Sequence, residues 1–253
     1  MPTADASTQQ AKQQIREHVW ALLEHHHAVD PGVSGHIPAF VGADAAAVRL
    51  AALPAWQAAR VIKANPDRAQ LPVRVHALEA SKTVYMAVPN LATPRPFYLL
   101  DPTTLPVPPT KAALHQAAAT FAPTVAIDEM PPVDLVVCGS VAVNTDGARV
   151  GKGAGYSDLE LALLAEAGLI GPHTTILTTV HPLQIIDGPL PETAHDFRVD
   201  AVITPDAIIT CGGSRRPERV LWDHLSHDKI AAIPVLADRA SNRKDPETER
   251  RWS

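Results

Sequence analysis

The chain has 253 residues, 46% hydrophobic and 19% charged, a balance that fits a soluble globular protein able to bury a core. Its net charge of −5 gives no general field for nucleic acid, and no Lys/Arg run precedes the C-terminal tail. No apolar stretch approaches the roughly 20 residues that span a bilayer. Residues 1–10 are polar and read as neither signal nor transit peptide. The two cysteines, Cys138 and Cys211, each close an apolar run; they point to a reducing compartment and buried thiols, so the expected location is cytoplasmic.

Taken in order, residues 7–27 read as an amphipathic helix, with Ile15, Val19, Leu22 and Leu23 at helical spacing. Lys12 and Arg16 lie four apart and leave that helix from one face, a pattern that most simply gives a solvated basic surface. His25, His26 and His27 close the helix; adjacent side chains diverge by about 100°, so they form a polar end and not a shared metal site. A second, alanine-rich helix is expected over 43–53, and 55–64 runs through Trp56 into a short strand. Residues 63–70 form a polar loop turning at Asn65-Pro66. A helix over 73–79, strands over 83–88 and 97–100, and a short helix over 111–121 follow. Prolines such as Pro94, Pro102, Pro108 and Pro131 stiffen the connections.

From Val133 the pattern alternates strand and helix. Residues 133–138 form a buried-type strand, 156–168 a helix with Gly168 at its C-terminal cap, and 174–180, 199–204 and 207–211 further short strands. This predicts an α/β fold: a single domain with a mostly parallel sheet and helices on both faces. The domain is expected to span 1–240, followed by a charged, frayed tail over 241–253.

Between the 133–138 strand and the 156–168 helix lies Arg149-Val150-Gly151-Lys152-Gly153-Ala154-Gly155-Tyr156-Ser157-Asp158. Alternate glycines let the backbone approach a ligand, so that successive N–H groups converge on one anion. The helix start behind them adds free N–H groups, Arg149 and Lys152 add charge, and Asp158 is placed to hold a divalent metal. The run matches neither the Walker spacing nor the dinucleotide fingerprint. It is either a phosphate-binding loop or a flexible hairpin tip, and Asp158 is either a metal ligand or a helix cap.

The segment from Arg149 to Asp158 resembles the R-x-G-x-G-x-G-Y-(Y/F)-D signature of the 5-formyltetrahydrofolate cyclo-ligase family. Two further blocks align in order: Lys12 and Arg16 match the family's K-x-x-x-R pair, and Gln184, Pro191, His195 and Asp196 match its Q…P-x-x-x-H-D block, with Glu192 between. The resemblance implies ATP and Mg²⁺ as cofactors. It places Lys12, Arg16, Gly151, Gly153, Ala154, Gly155 and Tyr156 at the nucleotide, and Asp158 and Asp196 at the metal. Arg149, Lys152 and Tyr156 would carry the chemistry, an ATP-driven ring closure of 5-formyltetrahydrofolate to 5,10-methenyltetrahydrofolate.

Two departures fall on the substrate side. Residues 70–78 lack the acidic residue that in the family binds the pterin, and Ser157 stands where a second aromatic is usual. In place of the acid are Lys63, Asn65, Asp67, Gln70 and Arg74, expected to line the same pocket. The partner is then a small molecule, a reduced folate or another small anion, with no nucleic acid and no membrane. The pattern resembles a divergent cyclo-ligase-like branch. The alternatives to a folate enzyme are a paralogue of the same fold that binds Mg-ATP and acts on a different small substrate, such as a thiamine-related one, and a non-catalytic nucleotide-binding module.

Overall fold

A computed structural model describes residues 4–213 and 215–243. Helix α1 (Ala4–His25) opens the chain, followed by α2 (Ala43–Ala51) and α3 (Pro54–Ala58). Strand β1 (Val61–Ala64), helix α4 (Leu71–Glu79) and strand β2 (Thr83–Ala87) then form a crossover unit. Next come β3 (Phe97–Leu100), α5 (Pro109–Ala112), α6 (His115–Phe121) and β4 (Thr124–Val125). The second half contains β5 (Leu135–Cys138), β6 (Ala142–Val143), β7 (Arg149–Val150), α7 (Tyr156–Glu166) and β8 (Thr175–Thr179). It ends with β9 (Ala201–Ile203), β10 (Ile208–Thr210), α8 (His227–Ala232) and α9 (Pro234–Asn242).

Eight strands form one sheet in the order β10-β9-β8-β5-β1-β2-β3-β4. The five central strands are parallel, and β10, β3 and β4 add antiparallel edges. The mostly parallel α/β architecture with helices on both faces is therefore observed. From β1 the chain steps to β2 on one side and later to β5 on the other. The carboxyl ends of β1 and β5 are thus the switch point where open α/β sheets leave a crevice.

The strand pleat distributes the core between the two faces. Ile62, Val84, Leu135 and Val137 pack on the side of α1, α2 and α4. Tyr85, Val136, Cys138 and Ile176 pack on the other side, with Leu161 and Leu164 of α7. The registers Lys63↔Tyr85 and Lys63↔Val136 put Lys63 on the α7 side. It is a charged residue in mid-core, not part of a solvated loop.

Several local expectations are corrected. The 111–121 stretch is two helices, broken between Ala113 and Leu114, the latter with extended backbone. The glycine run follows not the 135–138 strand directly but a β6–β7 hairpin. That hairpin turns through Asn144, whose Oδ1 accepts from Ala148 N–H at 2.9 Å, and Gly147, at φ 85°. A Cβ on Gly147 would lie 2.2 Å from the Val199 carbonyl oxygen, so only glycine lets the turn dock there. Helix α9 runs to Asn242, and residues 244–253 of the expected tail lie outside the described residues. Cys138 and Cys211 are both free thiols, with Cys138 buried and Cys211 half-buried.

Candidate functional site

A cavity of about 700 Å³ opens at the carboxyl ends of β1, β2 and β5, walled by the start of α1, the glycine loop and residues 193–196. Helix α1 contributes because Lys12 and Arg16 lie on its inward stripe with Val19 and Leu23, not on a solvated face. Lys12 Nζ donates to both oxygens of Asp196, at 2.7 and 2.5 Å. Arg16 Nε donates to the Gly151 carbonyl at 2.7 Å, and its guanidinium would meet a Cβ on Gly153 at 3.3 Å. The helix and the glycine loop are therefore fitted to one another.

Within the loop, Gly153 (φ 104°) and Gly155 (φ 70°) adopt conformations open to glycine and costly for other residues. Lys152 and Ala154 are exposed at the cavity mouth, and Tyr156 begins α7 half-buried. Arg149 is almost wholly buried: Nη1 donates to the Gly139 carbonyl, Nη2 to Asp158 Oδ1 at 3.2 Å, and the guanidinium stacks 4.2 Å over Phe197. Burial pushes its pKa down, but Asp158 and further acidic neighbours outweigh that and hold it above the ordinary value. Its Nε is a buried donor with no partner among the described residues.

Asp158 sits in the first turn of α7, whose cap is Gly155. Its carboxyl is pushed up by desolvation, against the pull of Arg149, and Asp196 pushes it further. Both carboxylates line the cavity. Asp196 goes the other way: burial would raise it, but Lys12 and the Thr193 N–H and hydroxyl together pull it below the usual range. Two other residues of its block are engaged within the protein. Gln184 is fully buried and donates to the Ser140 and Val141 carbonyls, and Glu192 pairs with Arg198.

On the substrate side, Asn65 and Asp67 reach the cavity wall, whereas Lys63, Gln70 and Arg74 stand behind it. Lys63 Nζ donates to Glu160 Oε2 at 2.5 Å and to Asn65 Oδ1 at 2.6 Å; Asn65 Nδ2 passes the chain on to Ser157 Oγ at 2.8 Å. Arg74 is spent on backbone carbonyls of Asn65, Pro66, Asp67 and Ala113. Desolvation brings its pKa down to about 10, with Asp67 pulling upward. Gln70 donates to Thr179 Oγ1, and its Oε1 has no partner among the described residues. Gly139, just past β5, has no room for a Cβ, which would lie 3.0 Å from both Asp67 Oδ2 and Gln70 Oε1.

Glu160, on the wall beside Asn65, was not singled out in the sequence, although it follows Asp158 by two positions. His195 and His224 also line the cavity, their ring nitrogens 3.2 Å apart. Among the described residues, no cluster of three or more His, Cys, Asp or Glu is arranged to cage a metal unaided.

The fold and site define an α/β protein with a glycine loop and two carboxylates, Asp158 and Asp196, lining one cavity at the switch point of its sheet. The family model for the 5-formyltetrahydrofolate cyclo-ligase family matches residues 8–205. The chain belongs to that family. It is 38% identical over 245 residues to a mouse methenyltetrahydrofolate synthase domain-containing protein, covering 92% of this chain and 64% of that one. The human protein of that name is 33% identical over 237 residues, covering 89% of this chain and 60% of its own. The chain thus spans less than two thirds of these relatives' length. The NMR structure of Aquifex aeolicus 5,10-methenyltetrahydrofolate synthetase shares the fold, with TM-score 0.52 and 19% identity over 85% of this chain and 98% of that one. No helix among the described residues is long and apolar enough to cross a membrane.

Proposed function

We propose that this chain is a Mg-ATP-dependent cyclo-ligase that converts 5-formyltetrahydrofolate to 5,10-methenyltetrahydrofolate, releasing ADP and phosphate. One observation carries the reading: Lys12 and Arg16, the glycine loop, Asp158 and Asp196, drawn from three separated stretches, line a single cavity. Arg149 and Lys152, with the loop N–H groups, are assigned to phosphate oxygens, and Lys12 and Arg16 to the nucleotide from the facing helix. Tyr156 stands at the end of the loop on the same wall.

The donor set suits magnesium. Asp158 and Asp196 offer hard oxygen ligands, and a Mg²⁺ site built from one or two carboxylates is completed by phosphate oxygens and water. When bound, the ion would neutralise phosphate charge during transfer. The chain's own part is positional. It holds the formyl oxygen near the terminal phosphate, keeps Arg149 protonated beside the loop, and shields the site while the neighbouring folate nitrogen closes the ring and phosphate departs.

The folate reading gains from the substrate side. A different anionic substrate would have called on Lys63 and Arg74, yet both are buried and committed elsewhere. Asp67, an acid suited to the donor-rich edge of a pterin, remains on the wall. Ser157 keeps the second reading alive, a Mg-ATP enzyme with another small substrate, because it replaces a stacking ring with a hydroxyl held by Asn65. Purified chain, 5-formyltetrahydrofolate and Mg-ATP, followed by the absorbance of the methenyl product, distinguishes them. Product formation that requires all three components supports the first, and ATP binding without product favours the second.

A further inference from the structure

Residues 206–243 lie beyond the stretch matched by the family model, yet they form part of the cavity wall. They are held there by specific contacts. His224 Nδ1 lies 3.2 Å from His195 Nε2, Val220 N–H donates to Glu166 on α7, and Ser226 caps α8 by accepting from Lys229 N–H. The outcome is that the Lys229 ammonium stands over the glycine loop, 3.5 Å from where a Cβ on Gly155 would be.

That cation has no ion pair among the described residues. Arg149 is neutralised by Asp158 and Lys12 by Asp196, while Lys152 and Lys229, one on the loop and one above it, face no paired carboxylate. Arg16 lies over Gly153 from the first helix of the chain, and Lys229 lies over Gly155 from the last part. The ammonium and the Gly155 backbone both line the cavity, where a bound anion would supply the missing partner. Because the Gly155 φ of 70° excludes most side chains, the space under Lys229 stays open to a ligand.

We infer that Lys229 is a phosphate-binding residue contributed by the C-terminal segment, closing on the terminal phosphates of a polyphosphate held by the glycine loop. His224 acts as a positioning residue that ties the segment to residues 193–196. The inference rests on the nucleotide reading proposed above and extends it: the nucleotide is gripped from both ends of the chain.

Calorimetric titration of the full chain with Mg-ATP, inorganic tripolyphosphate and AMP tests it, using wild type, Lys229→Ala and Lys229→Arg. Loss of one charged phosphate contact at this half-exposed position corresponds to about a tenfold change. Lys229→Ala is expected to weaken Mg-ATP and tripolyphosphate about tenfold and leave AMP unchanged, and Lys229→Arg to retain most of the affinity. Unchanged melting temperature of both variants certifies the fold. Affinities for Mg-ATP and tripolyphosphate within twofold of wild type in Lys229→Ala, or an equal loss for AMP, overturn the inference while leaving the nucleotide reading intact. A wild-type chain that binds neither Mg-ATP nor tripolyphosphate overturns both.

Discussion

Lys12 and Asp196, 184 positions apart, form a two-point ion pair in which one ammonium reaches both carboxylate oxygens, at 2.7 and 2.5 Å. The residue proposed to clamp the nucleotide and the residue proposed to ligate the metal thus neutralise each other. Both side chains are about nine-tenths buried or more. Mg-ATP offers both of them new partners of opposite sign, so the pair can open without leaving either charge bare.

Breaking this pair from one side strands a buried charge. Lys12→Met is expected to cost roughly 2–4 kcal/mol, and Lys12→Met with Asp196→Asn less than the sum of the two single changes. The acid side supplies a second signature. Asp196 titrates below the ordinary carboxylate value of 3.8, so its pairing stabilises the fold fully at neutral pH and is lost as pH falls through that value towards the folded one. The stability gap between wild type and Lys12→Met should therefore narrow below about pH 4. Urea unfolding across pH 3–7 measures it, and a gap that stays constant would refute the linkage.

Lys152 presents the opposite case, since it is exposed and has no ion pair among the described residues. Lys152→Ala should leave stability within about 0.5 kcal/mol of wild type. The phosphate contact proposed for it would be charge-assisted, so Mg-ATP binding should weaken by roughly 1.5–3 kcal/mol. Wild type at ~100 times its Kd should gain about 2.7 kcal/mol, visible as a rise in melting temperature. A well-folded wild type with no thermal response to millimolar Mg-ATP would remove the nucleotide site from this cavity.

The strands were legible because the pleat alternates apolar residues between two covered faces, and Val136 and Val137 serve one face each. Lys12 and Arg16 could be paired from their spacing, but whether they face solvent depends on Asp196 and Gly151, which no local pattern reveals. Lys63 read as a loop residue because its partner Glu160 lies 97 positions away, and a buried lysine is stable only with that partner. The β6–β7 hairpin escaped because strands of two residues are too short for a period, although the turn residues Asn144 and Gly147 were its one local signal. The wall built by residues 216–229 had no signature at all; it is assembled by tertiary contacts such as His195 with His224.

Metal dependence tests both aspartates. Asp158→Asn and Asp196→Asn should each raise the Mg²⁺ concentration needed for half-maximal nucleotide-dependent activity by at least about tenfold, since each would remove one of the few protein ligands of the proposed site. Asp158→Asn also leaves the buried Arg149 without its carboxylate partner, so its melting temperature should fall as well. Equal Mg²⁺ requirements in both variants and wild type would reduce Asp158 to a partner for Arg149 and nothing more.

The substrate side yields the sharpest contrast, between Asp67 and Arg74. Arg74 donates to four backbone carbonyls and so shapes the 65–67 turn from behind. Arg74→Ala orphans those acceptors and leaves a cavity, and should destabilise the fold by about 3–5 kcal/mol. Any loss of turnover in it should track the unfolded fraction and vanish at low temperature. Asp67 is half-buried on the wall, and its Oδ2 sits by Gly139 where only a glycine leaves room. Asp67→Asn keeps the shape and removes the charge that would bind a pterin's donor edge. We expect it to melt near wild type, to bind Mg-ATP unchanged, and to lose methenyl formation by two orders of magnitude or more, on the order of 3 kcal/mol. Full turnover in Asp67→Asn, with loss only in a stably folded Arg74→Ala, would assign the contact to the cation instead and turn the substrate from a folate to another anion.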